Sequence, residues 1–92
     1  MDIHYSRRAQ RDIKQLDAGT DRRRVLRGIR EGLEEEAPNA DIRSIRKGLK
    51  RLRIGDYRIL FIEIAEAGRE GALVVRVIHR SDLRRAVADL PF

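Results

Sequence analysis

The stretch "LKRLRIGDYRILF", Leu49 to Phe61, decides how this chain folds. Two apolar-rich runs flank Ile54-Gly55-Asp56, and glycine beside aspartate is what a tight turn needs, so the stretch predicts a β-hairpin. Alternation gives each arm two faces. Leu49, Arg51 and Arg53 share one face of the first arm, and Lys50, Leu52 and Ile54 share the other. On the second arm Ile59 and Phe61 oppose Arg58, Leu60, Ile62 and Ile64. An arm that is apolar on both sides belongs in the middle of a sheet. The same stretch holds Lys50, Arg51, Arg53 and Arg58, close behind Arg46 and Lys47. A hairpin has no use for such crowding, because like charges facing each other on a sheet repel.

Working outward, three strands are expected at roughly 49–54, 56–65 and 72–80, the last two joined by the looser turn "EAGREG". Asp2 to Tyr5 reads as a short strand. Ser6 then caps a helix running to about Asp17, whose Ala9, Ile13 and Leu16 form one apolar stripe. "DAGT" breaks it, and Thr20 or Asp21 starts a second helix with Val25, Leu26, Ile29 and Leu33 as its buried face. Gly28 and Gly32, four residues apart, either permit close packing or merely cost about 1 kcal/mol each. "APNAD" ends that helix. Residues 40–48 read as a loop anchored by Ile42 and Ile45. Ser81 or Asp82 caps a last short helix with Leu83, Val87 and Leu90 on one side, and Pro91 stops it. The order β-α-α-β-β-β-α is that of an α+β fold. It combines a small antiparallel sheet, two N-terminal helices and a short C-terminal helix in one domain, residues 1–92.

Composition limits the function classes. Charged residues make up 39% of the chain, against roughly 25% in ordinary soluble proteins. The net charge of +6 favours an anionic partner such as nucleic acid or an acidic protein. With no cysteine, thiol chemistry and disulfides are excluded, and two histidines (His4 and His79) are too few for a zinc site. Neither a metal nor another cofactor is therefore expected. The absence of a long apolar run predicts a cytoplasmic protein with no membrane partner. Only Tyr5, Tyr57, Phe61 and Phe92 are aromatic, which argues against a base-stacking platform.

In the third long strand, alternation aligns Arg76 and Arg80 with Val74 and Ile78, and His79 with Leu73, Val75 and Val77. One cross-strand register then gathers Arg51, Arg53, Arg58 and Arg80 on a single face. Two readings stand at this point. The arginines are solvated and paired with Glu63, Glu66 or Asp56, or they bind phosphate through their guanidinium forks.

The hairpin stretch followed by "VVRVIHRSDLRR", with the opening "YSRRAQRDIKQLD" and the run "IRKG", resembles the RelE/ParE superfamily of type II toxin–antitoxin toxins. The likeness spans nearly the whole chain, and the basic hairpin with its Gly-Asp-Tyr-Arg turn is its specific part. For the RelE branch the resemblance implies a metal-independent, ribosome-dependent mRNA endonuclease that inhibits translation. It also implies neutralisation by a protein antitoxin through an acidic amphipathic segment, which would displace or dock beside the Leu83–Leu90 helix. The implied catalytic set is Arg51, Arg53, Arg58 and Arg80. A tyrosine belongs near the C-terminus in such sites, and this chain has Arg84 there. Arginine stays protonated at physiological pH, so none of the four is a natural general base. Lys50, His79 and Arg84 remain as acid–base or RNA-contact candidates, although parity puts Lys50 and His79 on the other sheet face. Arg46, Lys47 and Arg76 are candidate RNA- or ribosome-binding residues. For the ParE branch the resemblance implies a non-nuclease inhibitor of DNA gyrase, and a non-enzymatic basic RNA-binding module is the third reading.

Overall fold

In the computed structural model, β3 (Leu49–Ile54) and β4 (Tyr57–Glu66) form the expected hairpin, with Arg53 opposite Arg58 and Ile54 opposite Tyr57. Gly55 closes the turn at φ +56°, a left-handed conformation that costs glycine little. The structure describes residues 1–92 except the side chain of Glu66, so the pairing expected of Glu66 lies outside the described residues. β5 (Arg69–His79) pairs antiparallel with β4, and the short N-terminal β1 (Asp2–Tyr5) lies beside β5. The helices are α1 (Arg7–Lys14), α2 (Asp21–Ile29) and α3 (Leu83–Asp89). None is long and apolar enough to cross a membrane.

Three expectations need correction. Residues 42–46 are not loop but a strand, β2 (Ile42–Arg46), antiparallel to β3. Its side chains are mostly exposed, so it has no inward face to betray it; pairing with β3 makes it a strand. The five-stranded sheet therefore has the order β1-β5-β4-β3-β2, with the doubly apolar β4 in the centre. The sheet is also not wholly antiparallel, since β1 runs parallel to β5. Finally, Leu26 is 40% exposed, because the stripe Val25, Ile29, Leu33 alone turns inward. Leu33 itself lies in a π-helical turn, Arg30–Glu34, where the Glu35 N–H reaches back to the Arg30 carbonyl.

The sheet is covered on both sides. Beneath α1 and α2, Ala9, Val25, Ile29 and Leu33 pack on Leu52, Ile59, Phe61, Ala72, Val74 and Val77. Beneath α3, Ala86 with Leu83, Val87 and Leu90 packs on Leu49, Leu60, Val75 and Ile78. Gly28 and Gly32 serve the first contact: an added Cβ would lie 2.5 Å from Ile54 Cδ1 and 3.0 Å from Leu52 Cδ2 respectively.

A bulge in β5 alters the parity read from sequence. Phe61 faces Val74 but Leu60 faces Arg76, leaving Val75 as the extra residue. Val74 and Ile78 consequently fall in opposite cores. Beyond the four residues of β1 the edge of β5 would be bare, and α1 covers it. The Ser6 hydroxyl donates to the Val75 carbonyl and caps α1 by accepting from the Ala9 N–H. The buried Asp12 carboxylate accepts from the Val77 N–H at 2.9 Å and from Arg76 Nε at 2.8 Å.

Candidate anion-binding site

The α3 side of the sheet carries the arginines. Residues directly opposite on an antiparallel pair project to the same face, so Arg53 and Arg58 stand side by side. Arg51 follows two residues back along β3. Arg80 lies just past β5, and its N–H donates to the Asp56 carbonyl at 2.7 Å, pinning the strand end to the hairpin turn. Arg58 is half-buried and folds over its own turn, with Nη1 donating to the carbonyls of Gly55 and Tyr57, both at 3.0 Å. Burial, then the charges of Arg53, Arg51 and Arg80, push the Arg58 pKa below the usual guanidinium range.

Acidic residues hold the two ends of the row. Arg51 is only 13% exposed and donates Nη1 to both the carbonyl and the carboxylate of Asp41, each at 3.1 Å. The hydrogen bond from Arg51 holds the Asp41 carboxyl below its usual range. Arg80 Nε lies 3.7 Å from Asp56, both side chains being exposed. Between these ends, no ion pair among the described residues involves Arg53 or Arg58. The two central guanidiniums thus have no carboxylate partner among the described residues, and Arg58 spends Nη1 on the turn carbonyls.

The structure separates the other candidates from this row. Lys50 projects to the helix side and pairs with Glu63 at 2.7 Å. His79 points there too: its ring meets Tyr57 edge-on at 5.9 Å, and its Nδ1 accepts from the Ser81 N–H. Tyr57 in turn donates its hydroxyl to Asp21 at 2.9 Å, and burial with that carboxylate raises the phenol pKa. Arg76 is committed to Asp12, and Arg46 donates to the backbone carbonyls of Val87 and Phe92, tying the C-terminal segment down. Arg84 and Lys47 are exposed, on α3 and in the β2–β3 turn. Sequence reasoning missed Asp41 because its role depends on β2 lying beside β3. A concavity of about 560 Å³ lies around Asp2, His4, Arg69 and Glu70, away from the arginine row.

The family follows from comparison with known proteins. Residues 3–84 match the model of the ParE toxin of type II toxin–antitoxin systems. The chain belongs to this toxin family. No curated protein matches it in sequence. Its fold is similar to the RelB–RelE antitoxin–toxin complex from Methanococcus jannaschii, at a TM-score of 0.64 and 23% identity, covering 90% of this chain and 96% of that one. The YoeB/ParE toxin from Agrobacterium tumefaciens gives a TM-score of 0.64 at 14% identity, covering 86% and 98%. The toxin–antitoxin complex RelBE2 from Mycobacterium tuberculosis gives 0.55 at 22% identity, covering 86% and 96%. The toxin thus has the RelE/ParE fold, with its arginine row on the α3 face.

What that row can do is bounded by its chemistry. Guanidiniums donate several hydrogen bonds in a plane, carry full charge and suit phosphate oxygens. They stabilise negative charge that develops on a reacting phosphoryl group. They do not readily take up a proton.

Proposed function

We propose that the toxin arrests translation as a RelE-like, ribosome-dependent mRNA endonuclease. The observation that carries this reading is the unneutralised Arg53–Arg58 pair on adjacent central strands. RNA cleavage by the neighbouring 2′-hydroxyl needs alignment of the attacking oxygen with phosphorus, stabilisation of the phosphorane, and two proton transfers. Arg53 and Arg58 hold the non-bridging oxygens. Arg51, fixed by Asp41, and Arg80, at the strand end, bound the phosphate on either side. Arg58 offsets the negative charge that develops on the departing 5′-oxygen, which takes its proton from solvent. The arginine row supplies no base, so the ribosome orients the mRNA and provides the surroundings that accept the 2′-proton. No metal or cofactor enters this scheme.

Primer extension on translated mRNA after induction tests the reading: new 5′ ends within codons are expected. In single-turnover cleavage on programmed ribosomes, Arg58→Ala with Arg80→Ala loses about 2–4 kcal/mol of transition-state stabilisation per contact, or roughly 30- to 1,000-fold each. Cleavage at the wild-type rate by the folded double variant would remove the row from the chemistry.

A second reading is inhibition of DNA gyrase. It is favoured by the family match and by the placement of Lys50 and His79 on the far side of the sheet from the arginines. Gyrase supercoiling with added toxin discriminates: stalled supercoiling with stabilised DNA breaks supports it, and unimpaired supercoiling removes it.

In either case the toxin is a cytoplasmic protein neutralised by an antitoxin. Two of the similar structures are antitoxin–toxin complexes, and the arginine row suits an acidic, amphipathic segment seated beside α3. Growth arrest on expression, relieved by co-expression of the neighbouring reading frame, is the expected outcome.

A further inference from the structure

A second basic surface lies on the helix side of the sheet, and it meets the arginine row at the hairpin turn. α2 exposes Arg23, Arg24 and Arg27. Among the described residues no ion pair involves any of the three, whereas Arg30 pairs with Glu35 and Arg22 is spent on the carbonyls that end α1. The nearby carboxylates are also engaged: Asp21 accepts from Tyr57, and Asp17 from the Gly19 N–H. Arg23, Arg24 and Arg27 line an open concavity of about 440 Å³ with Gly19 and Thr20.

Arg24 connects this surface to the first. Its guanidinium packs over Gly55, where an added Cβ would lie 2.7 Å from Nη2. From the other side of the sheet, Arg58 donates to the carbonyl of that same Gly55. Two arginines from opposite faces therefore clasp one turn. The arginines of the two faces thus approach one another at this turn, where the exposed Asp56 is the intervening carboxylate.

We infer that this is a single track for a nucleic-acid strand, in which the α2 arginines take the phosphates flanking the one held at the row. The inference rests on the reading of the row as an RNA site and extends it by three residues. A strand fits better than an acidic protein segment because the concavity is shallow and lined by guanidiniums and small residues. Its lining of Gly19, Thr20 and the three arginines offers an apolar anchor no large apolar side chain. Chain flexibility at phosphodiester bonds lets a single strand bend over the turn, which a duplex does not do cheaply.

The test uses the full chain with 2′-O-methylated oligouridine, which blocks cleavage at the attacking oxygen. Binding is followed across a salt series for a trinucleotide and for a strand of about twelve nucleotides. Each lost phosphate contact lowers the salt slope by about 0.7 for single strands, so Arg23→Ala/Arg24→Ala/Arg27→Ala is expected to lower it by about 2 on the long strand. The same variant leaves trinucleotide binding unchanged. The matching Arg→Lys triple variant keeps the slope, which separates charge from folding. A wild-type slope for the alanine variant on the long strand overturns the track. Arg53→Ala/Arg58→Ala serves as the control: if it leaves trinucleotide binding intact, the reading of the row itself fails, independently of the α2 result.

Discussion

Replacing Arg53 with glutamine should make the toxin more stable while weakening its hold on RNA. Arg53 stands directly opposite Arg58, where cross-strand Cβ atoms lie about 4.5–5.5 Å apart. With the charges on long stems, a separation of about 8 Å and an effective dielectric of about 40–80 give roughly 0.5–1 kcal/mol of repulsion. Little is lost in exchange: no hydrogen bond or ion pair of the Arg53 side chain occurs among the described residues, and only a longer-range attraction to the Asp41 carboxylate goes with the charge. In a domain of this size 1 kcal/mol moves the melting temperature by about 4–8 °C, so a rise of roughly 2–8 °C is expected at low ionic strength. At about 1 M salt, where the screening length is about 3 Å, the gap should close. Arg58→Gln is the internal comparison. It also removes repulsion, but it forfeits two bonds to the turn carbonyls and should gain less or nothing. Inorganic phosphate should raise the wild-type melting temperature more than that of Arg53→Gln, because it binds the native row. Thermal melts of the three proteins across a salt series decide the matter. A lower melting temperature for Arg53→Gln, or a gap that salt leaves untouched, would refute the claim that these charges strain one another.

Other expectations concern the frame that holds the row. Asp12→Ala leaves the Val77 N–H and the Arg76 guanidinium without their acceptor and should cost about 3–5 kcal/mol in urea unfolding; Asp12→Asn, which retains an oxygen for Val77, should cost less. Gly28→Ala drives a methyl into Ile54 and should cost about 1–3 kcal/mol, part of which Ile54→Val restores by removing the Cδ1 atom it meets. Because the native pKa of Asp41 is lowered, its pairing with Arg51 stabilises the fold above about pH 4 and is lost as pH falls through the native value; Asp41→Asn should flatten the acid limb of a melting temperature–pH profile.

The sequence by itself determined the hairpin, the central place of β4, the helix starts at Ser6 and near Asp21, and the α+β order. Each rests on local chemistry: a glycine turn, a period of two or of 3.6, a capping hydroxyl. It also brought Arg51, Arg53 and Arg58 to one face, because within a hairpin parity and turn position leave little freedom. Tertiary structure decided the rest. β2 is a strand only because β3 lies beside it, and Asp41 became the partner of Arg51 only through that pairing. The bulge at Val75, invisible in a run of valines, moved Ile78 to the core opposite Val74. Arg76 reads like any other strand arginine until α1 places Asp12 against it. Arg24 reads as one more exposed helix residue until the close packing at Gly28 brings α2 down on the hairpin turn. Short-range rules fix where a side chain points along its own element, but which charge it meets depends on contacts between residues far apart in the chain.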